Sequence, residues 1–378
     1  MIRNNALFLF SMMLLGACAQ ESIVIPDTIE EPKEAMVINL SSFLLNIPEL
    51  DAKVDSIYNL MSDTAIVGQL IMPAVGRLGQ KEDSIKNLLK DQLIGGVLLL
   101  NGTKKECTDW VIKFEEMNKT EGNLPFLYSA DAEPSLVNRK IIGTTPVPKA
   151  NKIVDSTEAA KVSKTISTDL NEIGINYNFS PVVDLAKNKT VGYRGFANNP
   201  KNVIPFSQAF LLQSQRQNII ATAKHFPGHG LVSGDTHKAL QVINGDLKEL
   251  KYYPPLIESG VLSIMVAHIA ITNNTLFDTK GLPATTSRIM VNDLLRDSLQ
   301  FKGLIVTDAM NMGGVSNIKS ASSLAIAAGC DILLMPKDSR KAHQEILAKY
   351  QSDNQFKKQV ESSAKRIIRM KICLGLIE

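Results

Sequence analysis

Gly303-Leu304-Ile305-Val306-Thr307-Asp308 is a short apolar run that ends on a single carboxylate. A run of this length reads as a buried strand covered on both faces, the situation of a parallel sheet clothed by helices. Seven more runs share its make-up: Gly68 to Val75, Gly96 to Leu100, Phe126 to Ala130, Asn178 to Asp184, Ile219 to Lys224, Ser263 to Ala267 and Asp331 to Met335. Longer amphipathic stretches lie between them. Thr157 to Ile173 carries Leu170 and Ile173 on one face, and Phe356 to Cys373 follows the last run. This alternation is that of βα units, and eight of them predict an α/β chain closed into a single-domain (β/α)8 TIM-like barrel.

An open, doubly wound sheet has the same alternation, but no glycine fingerprint of the dinucleotide-binding kind follows the first run. The reactive side chains favour the barrel. Asp131, Asp184, Lys224 with His225, His268 and Asp308 all fall at or just beyond the carboxyl ends of different runs. In a barrel those ends share one mouth, so one active site accounts for every one of them.

With 378 residues, 44% hydrophobic and 21% charged, the composition is that of a globular protein and excludes disordered and fibrous classes. A net charge of +3 from 41 basic and 38 acidic residues provides no field to draw in phosphate backbones, so nucleic acid is not an expected partner. At the N-terminus, Arg3 precedes an apolar stretch from Ala6 to Ala17 that is too short to span a bilayer comfortably and has the profile of a signal peptide over residues 1–17. It ends in Leu15-Gly16-Ala17-Cys18, which resembles the lipobox of bacterial lipoproteins. That resemblance implies lipidation of Cys18, a membrane anchor and a place in the bacterial cell envelope. An ordinary secretory signal, or an uncleaved anchor with an incidental cysteine, is the alternative. Residues 18–49 read as a tether and 50–378 as the catalytic barrel, expected to be a monomer. Cys107, Cys330 and Cys373 are then left, an odd number without metal-like or redox-like spacing, so neither disulfides nor zinc are expected.

The densest motif is Lys224-His225-Phe226-Pro227-Gly228-His229-Gly230, followed by Leu231-Val232-Ser233-Gly234 and Asp235-Thr236-His237. Three of the five histidines fall in this stretch. Lys224 and His225 can donate hydrogen bonds to sugar hydroxyls. Asp235 can orient the imidazole of His237 and raise its basicity, leaving the other ring nitrogen to carry a proton. The same residues could instead ligate zinc, or serve as capping groups of a structural loop. Asp308, ionised at neutral pH, is a nucleophile candidate, although a carboxylate after a strand also caps helices.

The Lys224–His237 stretch resembles the signature of glycoside hydrolase family 3, and its Asp-Thr-His ending resembles the β-N-acetylglucosaminidase branch. The resemblance spans about Val54 to Leu374. It implies His237 as general acid/base assisted by Asp235, Asp308 as nucleophile, a covalent glycosyl-enzyme and retained configuration, with an imidazole replacing one carboxylate of the usual pair. It implies a terminal β-linked N-acetylglucosamine substrate, as in peptidoglycan fragments, and no cofactor or metal. Other branches take their acid/base carboxylate from a second domain, and the chain stops after the eighth unit, so the barrel is expected to supply every catalytic part.

Tyr128 to Arg139 is similar to the family's third-strand motif, which implies that Asp131 holds sugar hydroxyls and Arg139 orders the site. Pro134-Ser135 stands where relatives carry a glycine-containing pair, and it stiffens the turn. In Val191 to Ala197 relatives carry an Arg-Ser-Phe-Gly core. Arg194 fits a sugar-binding arginine, or a surface arginine, with Gly195 as the departure. His268 reads as a further pocket residue or as a satisfied core histidine. His343 is expected on an exposed helix face and without function. Two other classes remain: a sugar-binding lipoprotein with a degenerate site, and a β-glycoside phosphorylase.

Overall fold

Strand pairing in the computed structural model runs in a circle. The strands are β1 (Ile71–Met72 and Ala74–Val75, interrupted by Pro73), β2 (Gly96–Leu99), β3 (Leu127–Ala130), β4 (Tyr177–Asn178), β5 (Ile220–Phe226), β6 (Ser263–Val266), β7 (Leu304–Thr307) and β8 (Leu333–Leu334). Each pairs in parallel with the next through β7. β7 reaches β8 through Asp331 N to Ile305 O (2.7 Å) and Thr307 N to Ile332 O (3.0 Å). The ring closes with Leu333 N to Leu70 O and Met335 N to Met72 O, both 2.8 Å. An open sheet would leave β1 and β8 as edges; here their backbone groups satisfy each other.

The structure describes residues 37–196 and 199–377. Helices follow the strands on the outside. Ser156–Ile173 starts on an Asp155 cap that accepts from Glu158 N and stops at Gly174, which takes the left-handed conformation at φ 94°. Asn354–Cys373 closes the barrel and buries Val360, Ala364, Ile367 and Ile368 against it. The core is continuous from the barrel interior to these helices. No helix among the described residues is long and apolar enough to cross a membrane.

Several expectations shift. The tether predicted to residue 49 ends sooner: Leu40, Phe43 and Ile47 are buried, and the folded unit begins at Ile38. Arg369 Nε donates to the Phe43 carbonyl (2.9 Å), which ties this segment to the last helix. The expected signal peptide, Cys18 and the upstream part of the expected tether lie outside the described residues. Gly68 ends the helix Asp63–Gly68 and does not begin β1. After Asn178 the chain leaves the ladder and touches β5 again at Val182, opposite Lys224. His343 is buried, not exposed, and its Nε2 donates to the Thr64 carbonyl (2.9 Å).

Candidate active site

The mouth at the strand carboxyl ends holds a cavity of about 530 Å³ lined by Asp131, Arg139, Lys140, Arg194, Lys224, His225, His237 and Asp308, with Leu78, Tyr193 and Met312 among the apolar residues. One wall is a buried ionic network. Lys224 Nζ, at the end of β5, donates to Asp131 Oδ1 (2.8 Å) and pairs with Glu133 Oε1 (2.6 Å). Arg194 grips Glu133 with both arms, Nε to Oε2 at 2.9 Å and Nη2 to Oε1 at 2.6 Å. Lys140 Nζ takes the other Asp131 oxygen at 2.6 Å.

Burial alone would raise the carboxyl of Asp131, but Lys140 and Lys224 outweigh it and hold the group well below its ordinary range. Burial likewise opposes ionisation of Glu133, yet Arg194 and Lys224 bring it down to about 2. Lys224 loses hydration, and the two carboxylates still raise its affinity for the proton. Asp131, Glu133, Arg194 and Lys224 are therefore held charged and are satisfied, the condition under which a buried network fixes geometry.

Glu133 and Lys140 were absent from the sequence expectations. Arg139, expected to order the site, is exposed at the cavity edge, while its neighbour Lys140 pairs with Asp131. Pro134-Ser135 does not disturb Glu133. The Ser135 hydroxyl donates to the Tyr193 carbonyl (2.8 Å) and accepts from Ala150 N (3.0 Å), joining the Glu133 turn to the Arg194 loop. Gly195 packs so closely that a Cβ there would lie 2.9 Å from the Val182 carbonyl oxygen.

A second group surrounds Asp184, which is buried and receives His225 Nδ1 (2.6 Å) and His229 N (2.8 Å). An Nδ1 proton on that carboxylate leaves His225 Nε2 for the cavity. Burial works against the Asp184 anion, but His225 and His229 pull its carboxyl below the ordinary value.

Asp308 stands at the end of β7, where Ala309 N donates to Oδ1 (2.8 Å). Burial raises its pKa, while the nearby imidazoles of His225 and His268, the Ala309 amide and His237 lower it further, so the carboxylate is ionised at neutral pH. His237 Nδ1 lies 2.7 Å from Asp235 Oδ1, and the same oxygen accepts the His237 amide at 3.0 Å. His268 is the satisfied core histidine of the two readings, outside the cavity lining: Nε2 donates to the Ala309 carbonyl (3.0 Å) and Nδ1 meets Thr285 Oγ1 (2.9 Å). Burial lowers its pKa. Among the described residues no group of three or more His, Cys, Asp or Glu is arranged to hold a metal ion.

A closed parallel barrel whose reactive side chains converge at the strand carboxyl ends defines the class of (β/α)8 proteins. Within it the chain belongs to glycosyl hydrolase family 3: the family's N-terminal domain matches residues 64–370. The chain is similar to beta-hexosaminidase A of Pseudoalteromonas piscicida, 30% identical over 66% of this chain and 46% of that one. It is similar in structure to the glycoside hydrolase family 3 beta-N-acetylglucosaminidase from Paenibacillus sp. str. FPU-7, with a TM-score of 0.77 and 26% identity over 84% of this chain and 63% of that chain. The beta-N-acetylhexosaminidase from Beutenbergia cavernae DSM 12333 gives a TM-score of 0.75 and 26% identity, over 83% and 99% of the two chains. The chain spans about half the length of the curated relatives it matches.

Proposed function

We propose that this chain is a retaining exo-glycosidase that hydrolyses terminal β-linked N-acetylglucosamine in peptidoglycan fragments or related glycans. The observation that carries the reading is that Asp308, a carboxylate in no ion pair among the described residues, and His237, partnered by Asp235, line one cavity together with a locked array of hydrogen-bonding charges. Asp131, Lys224, His225 and Arg194 hold the sugar hydroxyls, and Arg139 lies at the cavity edge. In the first step Asp308 attacks the anomeric carbon as the glycosidic bond breaks, and protonated His237 gives its proton to the leaving oxygen. In the second, neutral His237 takes a proton from water, the water oxygen bonds the anomeric carbon, and Asp308 departs as carboxylate. Two displacements retain configuration. A neutral base also keeps a second negative charge away from the reacting centre.

The test is release of chromophore from an aryl N-acetyl-β-glucosaminide by the full chain. Asp308→Asn should abolish turnover, and His237→Ala should cut it by about a hundredfold or more, the range of a lost general acid/base. A folded wild-type protein that turns over neither this glycoside nor the matching glucoside, with or without added phosphate, sinks the reading. We also propose, from the lipobox resemblance of Leu15 to Cys18, that the protein is anchored in the cell envelope through lipid on Cys18; partition of activity between membrane and soluble fractions of cells carrying Cys18→Ala tests it.

A further inference from the structure

The side chain of His237 is 59% exposed and its hydrogen-bonding partner is Asp235, itself 30% exposed. Nothing in that pair fixes where the imidazole stands relative to Asp308. The residue between them behaves differently, because Thr236 is buried. Its hydroxyl lies 2.9 Å from Nε2 of His229, which is also buried. The His229 amide is in turn held by Asp184 Oδ1 at 2.8 Å. The other ring nitrogen of His229, Nδ1, is buried without a hydrogen-bond partner among the described residues. A buried imidazole left half unsatisfied pays for its place through the one side-chain bond it does make.

The backbone on the far side of Thr236 completes the arrangement. Gly314 N donates to the Thr236 carbonyl and Gly313 N to the His237 carbonyl, both at 2.9 Å. These glycines follow β7 on the loop that starts at Asp308. A Cβ on Gly313 would fall 2.2 Å from the Lys238 carbonyl oxygen, so the two loops meet at a distance that excludes a side chain.

We propose that His229 is a positioning residue that, through Thr236, fixes within their shared loop the segment bearing the Asp235–His237 dyad, the segment whose backbone is bonded to the loop bearing Asp308. The inference rests on the assignment of His237 as acid/base. Burial and the neighbouring His225 lower the His229 pKa, so the ring is neutral at neutral pH. Asp184 and Asp308 are the carboxylates that act on the ring against that trend.

The test uses two substrates of the full chain: a 2,4-dinitrophenyl N-acetyl-β-glucosaminide, whose leaving group departs without a proton, and the phenyl glycoside, whose leaving group needs one. His237→Ala should lose kcat/KM on the phenyl glycoside and far less on the dinitrophenyl one, which checks the underlying assignment separately. Thr236→Val should then lose about tenfold or more on the phenyl glycoside and less than twofold on the dinitrophenyl one, the size of effect a buried side-chain bond carries. Thr236→Ser should restore the phenyl rate. Paired with His229→Leu, the double variant should lose no more than the worse single, because both remove the same contact. Equal losses on both substrates, additive losses in the double variant, or no loss in a folded Thr236→Val protein overturn the proposal. If His237→Ala itself shows no leaving-group dependence, the acid/base assignment fails, and the proposal with it.

Discussion

Replacing Glu133 by glutamine keeps the shape of the side chain and removes a charge that two cations share. The carboxylate has no exposure to solvent, receives two bonds from Arg194 and stands 2.6 Å from Lys224 Nζ. Its pKa is about 2 in place of 4.5, against the pull of burial. That displacement corresponds to roughly 3 kcal/mol of folded-state stabilisation. The sign follows from linkage: a carboxyl depressed on folding stabilises fully above its unfolded value and loses the contribution as pH falls towards its folded one. Glu133→Gln should therefore destabilise the protein by about 3 kcal/mol at pH 7, narrowing to roughly 1 kcal/mol at pH 3. Removing one partner of a buried network leaves Lys224 and Arg194 poorly compensated, which pushes in the same direction. Urea unfolding of both proteins at the two pH values measures the gap, and KM should rise because Arg194 loses the anchor that aims it. A gap below about half a kcal/mol at pH 7, within the ordinary scatter of neutral substitutions, or one that does not change with pH, would refute this reasoning.

Lys371 lies buried below the barrel, donating to Gln69 Oε1 (2.6 Å) and the Gly95 carbonyl (3.0 Å), and burial drives its pKa down to about 7 despite Glu115. The unfolded chain binds this proton more tightly, so wild-type stability should gain about 2 kcal/mol from this group between pH 7 and 9; Lys371→Met should lose that gain, and equal slopes in the two proteins would contradict the assignment. For the anchor, wild-type activity should sediment with membranes and that of Cys18→Ala should not, whereas identical partition removes the lipid from the account.

The barrel was legible because its strands are short and apolar and alternate with amphipathic stretches, and because five of the eight runs carry a reactive group at or just beyond the carboxyl end. Asp308, Lys224 and His225 follow from that rule alone. Glu133 does not sit at a strand end, yet it lies two residues beyond Asp131, where an extended chain repeats its facing; that spacing was the available signal. Lys140 had none, since its pairing with Asp131 depends on the short helix Val137–Lys140. The start of the folded unit was obscured by polar residues, although Asn39-Leu40-Ser41-Ser42 forms a capping box and Leu40, Phe43 and Ile47 recur at helical spacing. His343 was misplaced because its burial comes from a segment far away in sequence, around Thr64.

The distribution of ion pairs across the mouth separates its wall from its working groups. Asp131, Glu133 and Asp184 each meet a basic side chain within hydrogen-bonding distance, and those contacts make the wall rigid before any ligand arrives. Among the described residues Asp308 has no such partner, although it belongs to the same cavity. A carboxylate bound to a cation would have to break that bond to attack carbon, and the cost would add to the barrier. The imidazoles of His225 and His268 and the Ala309 amide lower the pKa of Asp308 against burial without capturing it. It stays ionised, as the proposed nucleophile must, while the proposed acid/base dyad of Asp235 and His237 is exposed enough to exchange protons with water. In the proposed mechanism the locked groups are where the sugar is held, and the unlocked carboxylate is where its bond is broken.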